Sequence, residues 1–382
     1  MILIKINNLF NFLLFLIIYP FVKIKKVAQV PRTLLIVRLD AIGDYVLFRN
    51  FITILKESSK YKNCKITLCG NIVWKELAEN LDKDLIDNFI WIDRKKFYRN
   101  LLYKYKMLKK IHNYGFEIAI ETTYSREVLF GDEIIKSTVA KEKIGNSGSP
   151  DKHAKWKRNL LSDKWYTKLI PSGESNLFEF YRNKEFFQNL LEAEINIKRP
   201  LIDVSKISFN KLHNKNYIVL LPGGSSKERR WNVNNFLEIA HYILNNSTFD
   251  IVIDGSKNEV ELAQKIWDNL KSERIFIAAG TTSLSDMAKL ISGAKLLISN
   301  ETSAVHFAAA VDTKFICISN GAYYNRFHPY PEEIFSGAFY VYPHELPEDS
   351  KLDTGKYRFG SRLDINTIKP EEVKELINKL IN

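Results

Sequence analysis

Three short segments of this chain hold residue types suited to binding a ligand, an anionic one in two of them. The first is Arg38-Leu39-Asp40-Ala41-Ile42-Gly43-Asp44, between the apolar run Thr33–Val37 and a segment with apolar residues at helical spacing, Leu47, Phe51, Ile54 and Leu55. A continuous apolar run reads as a buried parallel strand, so Gly43 and Asp44 fall where a strand turns into a helix, at the sheet edge where open α/β folds bind ligands. Gly43 allows close approach of backbone, Arg38 offers a cation, and Asp44 supplies a carboxylate that serves a ligand or simply caps the helix. The second segment, Leu221-Pro222-Gly223-Gly224-Ser225-Ser226-Lys227-Glu228-Arg229-Arg230-Trp231, leaves a strand through two glycines. Gly223, Gly224 and Ser225 can cradle phosphate oxygens, Lys227, Arg229 and Arg230 can neutralise them, and Trp231 can pack under the loop or stack on a ring. The third, Ser299-Asn300-Glu301-Thr302-Ser303-Ala304-Val305-His306, puts small residues at a helix start. Unpaired N–H groups there favour an anion, Thr302 and Ser303 can cap or bond it, and His306 lies one turn further on.

The elements that position these segments follow from periodicity. After residue 33, apolar strands alternate with amphipathic helices. Strands are expected at 65–69, 89–92 and 116–120, then at 217–221, 250–253, 274–278, 295–299 and 314–318. Helices are expected at 174–195, 234–245, 258–270, 284–291, 303–311 and 369–381. Ser283 followed by Asp286 reads as a capping box. From residue 217 onward, where the alternation is cleaner, this is the pattern of a doubly wound domain. The boundaries drawn are an apolar and basic segment at 1–30, a first domain at 31–205, a second at 206–365 and a closing helix at 366–382.

Two stretches break the rhythm. Lys141–Lys168 contains eight basic residues against three acidic, interleaved with Trp156, Trp165 and Tyr166. It reads as a long mobile loop or a short basic helix, with Lys155, Lys157 and Arg158 as candidate contacts for an anionic acceptor. At the N-terminus, Leu9–Val22 is strongly apolar and is followed by Lys23, Lys25 and Lys26. It falls short of the roughly 20 residues of a spanning helix and suits either an interfacial segment on an anionic leaflet or a helix packed on the domain.

Composition narrows the partners. The chain has 382 residues, 46% hydrophobic and 26% charged, and a net charge of +12, so an anionic partner is expected. Three cysteines with no CxxC pair and no nearby histidine suggest neither a disulfide framework nor a metal module, and fit a reduced compartment. No G-x-G-x-x-G, no P-loop and no G-x-S-x-G elbow occurs, which disfavours nicotinamide, P-loop and α/β-hydrolase chemistry. A basic nucleic-acid-binding protein is disfavoured because no recognised module accompanies the basic stretch.

The three segments, in this order, resemble glycosyltransferase family nine, the ADP-heptose:lipopolysaccharide heptosyltransferases. Arg38–Asp44 match the family's strand–Gly-Asp–helix opening, and Gly223–Trp231 its small-residue loop ending in a basic residue and Trp. Glu301-Thr302-Ser303-Ala304-Val305-His306 matches Asp-Thr-Gly-x-x-His with two changes, and Gly280–Leu284 its Gly-x-x-Ser-Leu segment. The resemblance spans about residues 33–325. It implies a GT-B fold, two Rossmann-like domains facing across a cleft, and inverting, metal-independent transfer. The donor is a nucleotide-diphosphate sugar, ADP-heptose by resemblance, used as co-substrate without a further cofactor. The acceptor is an anionic glycolipid or surface glycan, and the setting the cytoplasmic side of the bacterial inner membrane. Asp44 takes the position of the general base. Gly223, Gly224, Ser225, Lys227, Arg229, Arg230, Glu301, Thr302, Ser303 and His306 fall on the donor side, and Arg38 and Gly43 on the acceptor side. The changes to Glu301 and Ser303 alter the room beside the diphosphate, so the donor need not be ADP-heptose. A catalytically inactive nucleotide-sugar scaffold is the remaining alternative.

Overall fold

In the computed structural model, residues 2–148, 158–173, 177–208, 216–346, 357 and 360–381 are described, with backbone alone for 2–6. The chain divides into two compact units, Met1–Ser175 with Tyr181–Asn196, and Asn176–Phe180 with Ile197–Asn382.

The first unit holds a six-stranded sheet of β1 (Val30–Arg38), β2 (Lys65–Asn71), β3 (Asn88–Ile92), β4 (Phe116–Glu121), β5 (Glu142–Asn146) and β6 (Lys168–Ile170). Every pairing is parallel, and the spatial order is β3-β2-β1-β4-β5-β6. Its helices are α1 (Ile2–Val22), α2 (Ile42–Phe48), α3 (Asn50–Glu57), α4 (Lys75–Leu81), α5 (Arg94–Arg99), α6 (Leu101–Asn113), α7 (Glu133–Ser137) and most of α8 (Glu179–Leu191). The second unit repeats the plan with β7 (Tyr217–Leu221), β8 (Asp250–Ile253), β9 (Ile275–Ile277), β10 (Leu296–Asn300), β11 (Phe315–Ile318) and β12 (Ala338–Val341), ordered β12-β11-β10-β7-β8-β9. Its helices are α9 (Val233–Asn246), α10 (Val260–Leu270), α11 (Leu284–Ser292), α12 (Ser303–Ala310) and α13 (Pro370–Ile381).

Counted from its own first strand, each sheet has the order 3-2-1-4-5-6. Such a sheet reverses direction between its first and fourth strands, and the crevice outside their carboxyl ends is where doubly wound folds bind ligands. In the first unit that point lies between β1 and β4, in the second between β7 and β10. The segments after β1, β7 and β10 are those whose residue types suggested chemistry.

Burial explains the strands. Leu34–Arg38 and Tyr217–Leu221 are buried throughout, as expected for strands covered on both faces. The closing helix packs Val373, Ile377 and Leu380 into the second core beside Phe236, Ile239 and Ile243 of α9. Ser283 caps α11 with Asp286 in the reciprocal box its spacing implies.

Of Lys141–Lys168, expected as a mobile loop or short basic helix, residues 149–157 lie outside the described residues, and the described ends belong to the domain. Residues 142–146 form β5, and Ile144–Asn146 are buried. Gly145 is required because a Cβ there would stand 2.5 Å from the Tyr166 ring. Trp165 and Tyr166 belong to the hydrophobic core; Tyr166 donates its hydroxyl to Asp132 beneath the Arg126 guanidinium. Lys155 and Lys157 lie outside the described residues. Arg158, the third candidate acceptor contact, is 5% exposed at the start of helical backbone over 158–161. At its described ends, burial makes a segment that is basic in composition part of the sheet and its core.

The N-terminal segment is a helix packed on the domain. Phe15, Ile18 and Val22 of α1 enter the first core, Phe15 against Trp165 at 5.9 Å. No described helix is long and apolar enough to cross a membrane.

Candidate functional site

In the first unit the site is the turn from β1 into α2. Its carbonyls are held by four side-chain bonds: Asn71 Nδ2 donates to Leu39 O (3.2 Å) and Asp40 O (3.1 Å), Trp74 Nε1 to Asp40 O (3.2 Å), and Arg94 Nη1 to Leu39 O (2.9 Å). Arg38 does not reach out as a free cation for an acceptor. It is fully buried, pairs with Asp40 at 2.8 Å, donates to Asn183 Oδ1 at 3.0 Å and lies over the Phe48 ring. A guanidinium shielded this way must be paired, and these partners meet that need. Arg38 therefore sets the shape of the turn.

Gly43 and Asp44 fall in the first turn of α2. The N-cap position is Ala41, which makes no side-chain cap bond, so Asp44 is not the capping residue; its carboxylate lies at the positive end of the helix, 9% exposed. Tyr45, the next residue, stacks on Trp74 at 4.0 Å, and its hydroxyl and Arg49 both bind the buried Asp82. The backbone that carries Asp44 is thereby braced on both sides. At the end of β4, where Glu121 pairs with Val37 of β1, burial pushes the Glu121 carboxyl up to about 8.

In the second unit the loop after β7 and the helix after β10 are tied together. Asn300, the last residue of β10 and fully buried, donates to Pro222 O and Gly223 O, each at 2.9 Å, and accepts from Trp231 N at 3.1 Å. Asn320 Nδ2 donates to Glu228 O at 3.1 Å, and Arg230 Nε to Gly224 O. Trp231 is 1% exposed and donates Nε1 to Ile368 O, so it packs under the loop and does not stack on a ligand ring.

Gly223 is needed for a reason the spacing did not reveal. A Cβ there would meet Glu259 Oε1 at 2.0 Å, and that oxygen accepts from Gly224 N at 2.7 Å. The glycine N–H expected to face a phosphate already holds a carboxylate. Ser225 and Lys227 remain exposed at the loop's outer edge, with Arg229 partly exposed between them and Glu301.

Arg229 joins the two segments. Its Nη1 stands 2.8 Å from Glu301 Oε2, its Nη2 donates to Ser225 Oγ at 3.0 Å, and its guanidinium lies over the Tyr323 ring. Burial lifts the Glu301 carboxyl to about 7, with Arg229 pulling the other way. Thr302 caps α12, its Oγ1 accepting from Ala304 N at 3.2 Å, and Ser303 opens the helix. His306 is 4% exposed; its Nδ1 pairs with the Tyr330 hydroxyl at 2.8 Å, and burial drives its pKa down to about 3. In the absence of a ligand it is a neutral ring at ordinary pH.

Sequence reasoning missed Asn300, Asn320, Glu259, Asn71 and Trp74. For Glu259 a signal existed: Ser256 and Glu259 have capping-box spacing, and the box forms. Asn300 is a polar residue closing a buried apolar strand at the ligand edge, which is itself a signal.

Two doubly wound domains in one chain, each with a braced loop at its strand-order reversal, make up the GT-B architecture. A family model described as glycosyltransferase family 9 (heptosyltransferase) matches residues 138–336, more than half of the chain. The chain belongs to that family. It is 26% identical over 193 residues to lipooligosaccharide heptosyltransferase 2 of Campylobacter jejuni, a match spanning 46% of this chain and 60% of that protein. Among solved structures, a family 9 glycosyl transferase of Veillonella parvula superposes with a TM-score of 0.67 at 15% identity, covering 92% of this chain and 97% of that one. The heptosyltransferase WaaC of E. coli, solved with ADP, gives 0.65 at 14% identity, covering 91% and 97%.

Proposed function

We propose that this chain is an inverting, metal-independent glycosyltransferase that moves a sugar, heptose or a close relative, from a nucleotide-diphosphate donor to a lipopolysaccharide or another surface glycan. Family membership supports the reaction class, and WaaC, a structural neighbour, was solved with ADP. The observation that carries the reading in this chain is the guanidinium of Arg229, held between Ser225 and Glu301 at the reversal point of the second sheet, beside the start of α12.

In this reading Asp44 takes the proton from an acceptor hydroxyl while that oxygen attacks the anomeric carbon. The bond from that carbon to the donor diphosphate breaks, and the diphosphate leaves with its electron pair. Arg229, Lys227 and the N–H groups at the start of α12 stabilise the charge that develops on it. Thr302 and Ser303 add hydroxyls, and Glu301 sets where Arg229 lies. No cofactor beyond the donor takes part. The acceptor is anionic and lipid-linked, in keeping with the net charge of +12, and the enzyme works peripherally on the inner face of the bacterial inner membrane.

The test offers a panel of nucleotide sugars with a lipopolysaccharide-core acceptor and measures nucleotide release with and without chelator. Transfer that persists in chelator is expected. Asp44→Asn should lower turnover by about 10²–10⁴-fold with an unchanged melting curve. Near-normal turnover in that variant would remove Asp44 from the role of base, and release only with chelator absent would overturn metal independence.

A further inference from the structure

The first unit leaves one face of α1 uncovered. Phe15, Ile18 and Val22 are buried against the domain, whereas Phe10, Leu13, Ile17 and Phe21 follow one another at spacings of three and four and are between 49% and 60% exposed. Ile24, just past the helix, continues the line at 74%. An apolar stripe of this length on a soluble surface marks a place where something docks.

The surroundings of the stripe are basic. Helix α1 runs alongside α5 and α6: the Tyr98 hydroxyl donates to Asn8 Oδ1 at 2.7 Å near one end, and His112 Nε2 pairs with Lys25 O at 3.0 Å at the other. Residues 94–116, which include both helices, contain eight Lys and Arg and neither Asp nor Glu. Lys104 is buried on Glu133 and Arg94 is paired with Glu127, but Lys95, Arg99, Lys106 and Lys110 are exposed, as are Lys23, Lys25 and Lys26 after α1. Leu101 and Leu102 add exposed apolar surface at the start of α6.

We propose that the exposed stripe of α1, together with the cations of α5–α6 and Lys23–Lys26, docks the protein on an anionic bilayer surface, with α1 lying in the plane of the interface. The apolar side chains enter the headgroup boundary and the ammonium and guanidinium groups meet lipid phosphates. Because Phe15, Ile18 and Val22 are committed to the core, α1 lies on the bilayer and does not cross it. Charge complementarity selects this occupant over a second copy of the chain, which would bring two basic surfaces together. The inference specifies the device behind the peripheral location proposed above, and its test needs no sugar transfer.

The full chain is sedimented with vesicles of phosphatidylcholine, with and without phosphatidylglycerol. The expected result is binding to the anionic vesicles, at least tenfold weaker on the neutral ones and weakened by salt. The triple variant Leu13→Ser, Ile17→Ser, Phe21→Ser should lose at least tenfold, and Lys95→Glu with Arg99→Glu and Lys106→Glu should abolish the preference for anionic lipid. Melting curves and transfer to a water-soluble acceptor fragment should match the parent in both variants, which separates a docking failure from a failure of the transfer reading. No binding to anionic vesicles would overturn the proposal, as would undiminished binding by the serine variant. A dimer in solution that the serine variant dissolves, without vesicle binding, would assign the stripe to a second copy instead.

Discussion

Glu301 holds Arg229 by an ion pair of 2.8 Å, and the pair joins the loop after β7 to the start of α12. The carboxylate is 8% exposed and the guanidinium 23%, so the acid is buried and the base reaches toward solvent. In the proposed reaction, a diphosphate bound at Arg229 competes with Glu301 for the same guanidinium. With its carboxyl lifted to about 7 by burial, Glu301 is protonated in a growing fraction of molecules as pH falls through neutrality, and its hold on Arg229 loosens. Nucleoside-diphosphate affinity should then rise on going from about pH 8 to about pH 6, by up to roughly tenfold on the scale of one charged hydrogen bond. In Glu301→Gln the rise should vanish. Calorimetric titration of both proteins with ADP at each pH checks this, and parallel slopes would remove Glu301 as the competitor.

Asn300→Ala should disorganise the loop after β7, the donor loop of the proposed reaction, from below. It removes two donors and one acceptor from buried backbone groups, and each orphaned group costs about 1–3 kcal/mol. We expect a fall of several kcal/mol in urea unfolding and, in the folded fraction, a raised KM for the donor with a smaller change in kcat.

Gly223→Ala places a methyl where Glu259 Oε1 stands, at 2.0 Å. The loop or the carboxylate must move, and overpacking of this kind costs about 1–3 kcal/mol. The double variant Gly223→Ala, Glu259→Ala should recover part of that loss, since the clash disappears; a thermodynamic cycle from four melting curves reads the coupling.

Glu121 makes the stability of the first unit depend on pH. Its folded pKa of about 8 lies above the ordinary carboxyl value of 4.5, so between those values the folded state binds the proton and the unfolded state does not. Stability from this group is complete below about pH 4.5, falls as pH rises toward 8, and is flat above, with a slope of up to about 1.4 kcal/mol per pH unit. Glu121→Gln should flatten the urea-unfolding profile over that window and leave stability near pH 5 almost unchanged. A profile as steep as the parent's would show that another group carries the titration.

Much of the second unit was legible before folding was considered. Strands β7 and β8 fall at the residues where the apolar runs begin and end, and the Ser283–Asp286 box forms as spaced, because these features depend on neighbours close in sequence. Asp44, Gly223 and Glu301 were placed at the ligand edge by the same local logic of strand, turn and helix. Strands β5 and β6 were not legible: they are short, and a glycine, an asparagine and lysines interrupt the apolar pattern inside a basic segment.

The roles of charged and polar side chains were settled only by tertiary packing. Arg38 and Arg229 look alike in the chain, each a cation beside a strand end. One is sealed on Asp40, Asn183 and Phe48, while the other stays partly exposed between Ser225 and Glu301. His306 has the place of a ligand contact, yet burial beside Tyr330 leaves it neutral. Gly223 reads as room for a phosphate until Glu259, 36 residues on, is seen to fill that room. Local pattern determines which backbone will be strand, turn or helix start, since those preferences act over a few residues. Which side chain is desolvated, and by whom it is paired, depends on groups tens to hundreds of residues away, and only the folded chain brings them together.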